Sequence, residues 1–356
     1  MRNTLIAALI AGAFISLNAG ATDLLQVYRE ALANDAQYAS ARATLTAGQE
    51  RGTQGRAGLL PTIGLSGNAS KSNSTTNANG IESSSPTFGT TGYTVSLSQP
   101  LFRWANWETY QQGKLSVAVS EAQFAQAQQD LIVRVAQAYF DVLTAQDALA
   151  SVQAQKIAIT EQLASAKRNF EVGTATITDT HEAQARYDLA VAQEFAAQND
   201  LQIRRSALQQ IIGKPAGELA TLRPGVTLDA PQPTQVERWV DSAEQQNFGV
   251  VGQQLAVEVA RREISKSRAG HYPTVDLVAS RNRNMPGFTT TAPGGLTATN
   301  NSVGVQVAIP LFSGYSVTSR VRETIALEDR ARADLENARR TAAQGARQAF
   351  GGVNAG

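Results

Sequence analysis

The sequence has 356 residues, 42% hydrophobic and 17% charged, well under the roughly 25% charged content of ordinary soluble domains. Its 31 Lys+Arg against 30 Asp+Glu leave a net charge of +1, so there is no basic surplus for binding a phosphate backbone and nucleic acid is not an expected partner. With no cysteine and only two histidines, His181 and His271, thiolate chemistry, disulfides and Cys- or His-built metal cages fall away. Neither a cofactor nor a metal is expected, and the absence of a recognisable Ser/His/Asp or paired-carboxylate constellation argues against an enzyme.

The chain opens like an export signal. Arg2 supplies the positive start, Leu5 to Leu17 an apolar run too short to span a membrane, and Ala19-Gly20-Ala21 a small-x-small cleavage site. Residues 1–21 are therefore read as a signal peptide, with Thr22 as the first mature residue. No later run of about 18 apolar residues occurs. Membrane insertion, if any, must use strands.

Residues 22–60 are Ala/Gln/Arg-rich without proline and predict one long helix. Near its end Gly52-x-x-Gly55-x-x-Gly58 lacks the flanking strand and Lys-Ser/Thr of a phosphate loop, and is read as a flexible passage from helix to strand. From Pro61 the hydrophobic period becomes two. Ile63 and Leu65 alternate with small polar residues, as do Tyr93, Val95 and Leu97, predicting two strands of about ten residues joined by the polar segment 71–92. Pro100, unable to donate to a ladder, is expected to end the second strand.

The segment 101–213 reads as a long helical hairpin. A heptad frame through Phe124, Leu131, Val135, Ala138, Val142, Ala145, Leu149, Val152, Ile159, Leu163, Ala166 and Phe170 leaves only Gln128 and Lys156 polar, a coiled-coil seam. Val172-Gly173-Thr174 interrupts it, with Gly173 suited to a left-handed C-terminal turn and Thr178 or Asp179 to an N-cap. The return helix carries a weaker seam through Tyr187, Val191, Leu201 and Leu208, and ends at Gly213-Lys214-Pro215.

A Pro-rich linker, 214–235, then leads into a second copy of the pattern. Arg56 to Thr62 recurs as Arg268 to Thr274, Pro100-Leu101-Phe102 as Pro310-Leu311-Phe312, and Gln137-Ala138-Tyr139 as Gln348-Ala349-Phe350, all at an offset of about 211 residues. The second half divides into a helix at 236–272, two strands with a loop at 273–310, and a long helix at 311–356. Counted by the same offset from Gly213, the duplicate would close at about residue 424, so the second half is read as truncated.

The Asp23 to Tyr28 start, the Leu60-Pro61 and Tyr272-Pro273 turns, both Pro-Leu-Phe strand exits, Gln137-Ala138-Tyr139, and the run Asn169 to Asp179 followed by Gln184-Ala185-Arg186-Tyr187-Asp188 together resemble the TolC-like outer-membrane channel-tunnel proteins of Gram-negative bacteria, the outer membrane factor family. What the resemblance implies is a mixed architecture of membrane β-barrel plus long α-helical coiled-coil tunnel. Each protomer of a homotrimer would give four strands to a 12-stranded barrel in the outer membrane and helices to a periplasmic tunnel. It implies a passive exit duct for drugs or secreted proteins, working with a periplasmic adaptor (membrane fusion) protein and an inner-membrane transporter in a tripartite efflux pump or type I secretion system. By the same resemblance Val172, Gly173 and Thr174 contact the adaptor, Thr178 and Asp179 belong to the periplasmic gate, and Pro61, Pro100, Pro273 and Pro310 mark the strand–helix junctions. The partners of the first tip's Asp would lie in the missing part of the duplicate. The alternative reading is a periplasmic adaptor-like coiled-coil protein, whose hairpin would not be flanked by membrane-length strands.

Overall fold

The computed structural model describes residues 21–73, 75–84, 88–222, 225, 230–286 and 297–355. The expected signal peptide lies outside them except for Ala21. The chain divides into two compact units, one formed by residues 1–42 and 126–229, the other by 43–125 and 230–356. Among the described residues no helix is long and apolar enough to cross a membrane.

In the first unit, α1 (Leu24–Asn34) starts on Asp23, whose carboxylate accepts from the Gln26 N–H at 2.6 Å. The expected single helix over 22–60 is two helices, α1 and α2 (Ala36–Ala57), broken at Asp35. There ψ is 116°, the Asp35 N–H still donates to Ala31 O, and the side chain accepts from Tyr38 N, so one residue closes α1 and caps α2. The expected helix over 236–272 breaks in the same way. It forms α5 (Val236–Gln246) and α6 (Phe248–Arg268), with Asn247 at ψ 128° accepting from Gly249 N and Val250 N. Asp35 and Asn247 are one repeat apart, so the break belongs to the duplicated plan.

The long helix α3 spans Trp104–Glu171, about 100 Å at 1.5 Å per residue. The return helix α4 spans Ile177–Ile212 and ends, as the sequence predicts, on Gly213 in the left-handed region at φ 73°. Leu131, Val135, Val142, Ala145 and Leu163 of the heptad seam are buried, whereas Phe170, at the seam's end, is exposed. The core adds Val27 and Ala31 of α1, Leu201, Leu208 and Ile212 of α4, and Leu219 from the linker, each large aliphatic worth about 1.5–3 kcal/mol when fully buried. Lys156, polar within the seam, meets Glu194 of α4 at 2.7 Å. Thr22 forms a parallel bridge with Leu219, and the Tyr139 hydroxyl donates to Ala220 O at 2.6 Å.

The second unit carries one four-stranded antiparallel sheet, ordered β1 (Thr62–Ser72), β4 (Phe88–Phe102), β5 (Thr274–Pro286), β6 (Ala298–Ala308). Register runs from Thr62 opposite Ser98 to Ser72 opposite Phe88, from Gln99 opposite Leu277 to Thr90 opposite Pro286, and from Thr274 opposite Ala308 to Asn284 opposite Ala298. The strands are longer than the alternation suggests, and the segment expected to be loop holds a small hairpin, β2 (Thr75–Ala78) and β3 (Ile81–Ser84). Pro100 does not end β4. The strand continues to Phe102, with Pro100 opposite Asp276 and Leu101 skipped before Phe102 meets Val275; β1 pairs with β4 only as far as Ser98, so Pro100 has a strand neighbour on one side alone and a bulge beside it, where proline is tolerated. The final helix, α7, spans Ser316–Ala355.

The glycines near the end of α2 are not a flexible passage. Gly52 and Gly55 lie within the helix, and a β-carbon on Gly55 would stand 3.0 Å from the Thr109 carbonyl oxygen of α3, while one on Gly113 of α3 would stand 2.7 Å from that of Arg51. The small residues let two helix backbones approach where any side chain would hold them apart.

Candidate functional site: the hairpin tip and the strand–helix junctions

At the tip in the first unit the chain leaves α3 through a Schellman turn. Thr174 N donates to Asn169 O at 2.8 Å and Gly173 N to Phe170 O at 3.0 Å, with Gly173 at φ 78°. Apart from Gly173 itself and its chain neighbours, no atom of the described residues lies within 4 Å of where a Gly173 β-carbon would be, and Val172 is 72% exposed. The three residues Val172, Gly173 and Thr174 thus form a blunt, open apex. The Thr174 hydroxyl also donates to Asn169 O, tying the apex down.

The helix α4 is not capped by Thr178 or Asp179. Thr176 is the N-cap, its hydroxyl accepting from Asp179 N at 3.3 Å, while Asp179 at the third helical position accepts from Thr176 N at 2.7 Å and from the Thr176 hydroxyl at 2.8 Å. This reciprocal pair is a capping box. The bonds from the Thr176 backbone and hydroxyl hold the Asp179 carboxyl below the usual aspartate range. Thr178 sits exposed in the first turn. Thr176, missed in the sequence, had its signal in the Thr-x-x-Asp spacing, hidden among neighbouring threonines.

In the second unit Pro61 and Pro273 precede β1 and β5, Pro100 stands at the β4 irregularity, and Pro310 follows β6. Thr62 opposite Ser98, Pro100 opposite Asp276 and Thr274 opposite Ala308 put all four at the same end of the sheet, one to each strand, in a row rather than at one point. The organising contact at the junctions is a different one. Arg103, just past β4, donates through Nε and Nη2 to both carboxylate oxygens of Asp276 on β5, at 2.7 and 2.6 Å, with the Asp276 side chain 8% exposed. Close by, the buried Glu108 of α3 accepts from the Ser265 hydroxyl at 2.9 Å and meets Arg262 of α6 at 3.4 Å. Gln112 donates to Glu263 at 2.9 Å. One acid inside the otherwise apolar and small start of β5 was the only sequence hint of this network.

The break at Asp35 supplies a pH-dependent element in the first unit. Burial opposes the charge on Asp35, but Arg134, 2.6 Å away, and the N–H groups of Tyr38 and Gln37 outweigh it and hold the carboxyl below its ordinary range. A depressed folded-state pKa contributes stability above the unfolded value of about 3.9 and loses it as pH falls through the folded one. Asp35→Asn is therefore expected to lower the melting temperature at pH 7, and the gap from wild type should shrink toward pH 3. Melting followed by circular dichroism at both pH values checks this; a constant gap would leave Asp35 as an uncharged cap only.

The fold and the geometry can be set beside known proteins. A match to the outer membrane efflux protein family covers residues 27–214 and 239–355. The chain is 32% identical over 344 residues to outer membrane protein TolC of Escherichia coli (strain K12), spanning 94% of this chain and 68% of that protein. It is 33% identical over 334 residues to alkaline protease secretion protein AprF of Pseudomonas aeruginosa, spanning 92% and 69%. Among solved structures, the outer-membrane channel OprN superposes with a TM-score of 0.74 at 18% identity, covering 92% of this chain and 73% of that one. The Campylobacter jejuni CmeC outer membrane channel gives 0.73 at 16%, covering 88% and 67%. At such identities these two likenesses speak for the fold, while the sequence matches speak for descent and set aside the adaptor alternative. The chain belongs to the outer membrane efflux protein family and is an outer-membrane channel protein of efflux and secretion.

Proposed function

We propose that three copies of this chain close one 12-stranded barrel and continue into a periplasmic helical tunnel, forming a passive exit duct that an adaptor and an inner-membrane transporter engage from below. The observation that carries this reading is the open sheet. Among the described residues four strands form one sheet in which β1 and β6 each pair on one side only, with Ile63, Leu65, Val303, Val305 and Val307 exposed on one face. Unpaired edges are not tolerated in a bilayer, and bacterial single-chain barrels have at least about eight strands, which supports closure by further copies. Exposed apolar residues on the helices, among them Val133, Ile157, Leu189 and Phe195, give neighbouring protomers something to cover. Sizing of the detergent-extracted protein tests the assembly: a trimer is expected, and a monomer would overturn it.

In this reading the apex Val172-Gly173-Thr174 is the adaptor contact, and Asp179, with Thr178 beside it, helps hold the periplasmic entrance shut. Capping and gating can be separated. Thr176→Ala removes the reciprocal cap and keeps the charge, whereas Asp179→Ala removes both. In planar bilayers Asp179→Ala channels are expected to conduct more than wild type, with Thr176→Ala near wild type. Equal conductance of the two variants would leave Asp179 as a cap alone.

A further inference from the structure

Register sorts the sheet into two unlike faces. On one, Thr94 accepts from Asn282 at 2.8 Å and Ser280 meets Ser302 at 2.8 Å, among further Ser, Thr, Gln and Gly. The other face carries cross-strand rows. Phe102, Val275 and Val307 make one, Leu277 and Val305 the next, with Gln99 beside Leu277 donating to the Leu59 and Pro100 carbonyls, then Ile63, Leu97, Ala279 and Val303. At that point the chemistry changes. The following row holds Leu65, Val95, Arg281 and Asn301, and the one after it Gly67, Tyr93, Arg283 and Thr299.

Arg281 and Arg283 are exposed, and among the described residues neither has an ion-pair partner. The only carboxylate among the described residues of the four strands is Asp276, at the opposite end, on the other face and bound to Arg103. An arginine on a lipid-facing strand is strongly destabilising at the bilayer midplane and costs little near the interface. From the Val307 row to the Arg283 row is eight residues, roughly 27 Å along a strand and about 20 Å in height once a tilt near 40° is allowed for. The two arginines therefore come at the outer border of the apolar band, where lipid headgroups begin. Their α-carbons are about 7 Å apart. A pair so spaced, with the Tyr93 hydroxyl opposite Arg283 and no side chain at Gly67 beyond it, presents forked donors to an anionic tetrahedral group.

We propose that Arg281 and Arg283 form a binding site for the phosphate of a membrane lipid in the outer leaflet, its acyl chains lying on the apolar rows below. This rests on the barrel reading of the sheet. Charge complementarity selects a phosphomonoester headgroup over a zwitterionic one, and the adjoining apolar rows select a lipid over free phosphate.

The test uses the full chain extracted into phosphatidylcholine micelles doped with phosphatidic acid, with bound lipid counted by native mass spectrometry. Wild type should retain phosphatidic acid in preference to phosphatidylcholine, and excess inorganic phosphate should not displace it. Arg281→Gln with Arg283→Gln should weaken that retention about 30-fold, taking about 1 kcal/mol per arginine near an anionic surface at 1.4 kcal/mol per tenfold. Arg281→Lys with Arg283→Lys should restore most of it. Wild type taking both lipids equally, release by inorganic phosphate, or unchanged retention in the glutamine variant would each overturn the site. The wild-type arms decide even if the glutamine variant does not fold. Failure of the barrel reading shows separately, as wild type missing from the outer-membrane fraction.

Discussion

Gly113→Leu is expected to prevent accumulation of folded protein. A β-carbon at Gly113 would meet the Arg51 carbonyl oxygen at 2.7 Å, closer than real β-carbons come, and the obstacle is helix backbone rather than a side chain that could rotate away. Overpacking a core typically costs about 1–3 kcal/mol, and here relief would require α2 and α3 to separate along their length, so the cost should reach or exceed the top of that range. Gly113→Ala is the milder form of the same insult. Gly52→Ala makes the contrast, since its β-carbon would stand 3.5 Å from Val117 Cγ2, an ordinary contact, and alanine gains about 1 kcal/mol over glycine in a helix interior. Yield in the membrane fraction and melting by circular dichroism should fall in the order Gly52→Ala, Gly113→Ala, Gly113→Leu. A Gly113→Leu protein with wild-type yield and melting would show that the close approach is not what holds these helices.

The second large effect is expected at Asp276. Its carboxylate is almost fully covered and engages both ends of the Arg103 fork. Removing one member of a buried pair costs about 3–5 kcal/mol, but Arg103 is 43% exposed and can recover some hydration, so about 2 kcal/mol is the fitting scale for Asp276→Ala. Arg103→Ala should cost at least as much, because it strands the covered carboxylate. The double variant should be less damaged than the two single losses added together, a coupling that a thermodynamic cycle reads directly. Additive losses would show the two side chains acting independently.

How far the sequence discloses this molecule depends on which physical signal a feature leaves. The heptad seam was legible because burying one helix face demands apolar residues at fixed spacing, and Leu131, Val135, Val142 and Leu163 are buried as that spacing requires. Gly173 and Gly213 were legible because positive φ selects glycine. The breaks at Asp35 and Asn247 were not, since an Asx residue that caps a helix through its side chain looks like any polar position in a run without proline. The α2 glycines misled for a related reason: in sequence a glycine that permits contact is indistinguishable from one that permits motion. Pro100 misled because the rule against proline in an inner strand lapses beside a bulge and past the end of a neighbour, here beyond Ser98, the last β4 residue opposite β1, which only the register reveals. The Arg103–Asp276 pair lies 173 residues apart in the chain, beyond any local pattern.

That pair has a bearing on the duplication itself. Following each junction's own offset, Arg103 corresponds to Ser313 in the second half, and Asp276 to Gly64 in the first. A protein made of two first halves would carry two guanidinium groups with no acid to meet, and one made of two second halves would carry two carboxylates with no base. The copies have diverged into complements, and neither half can any longer stand in for the other.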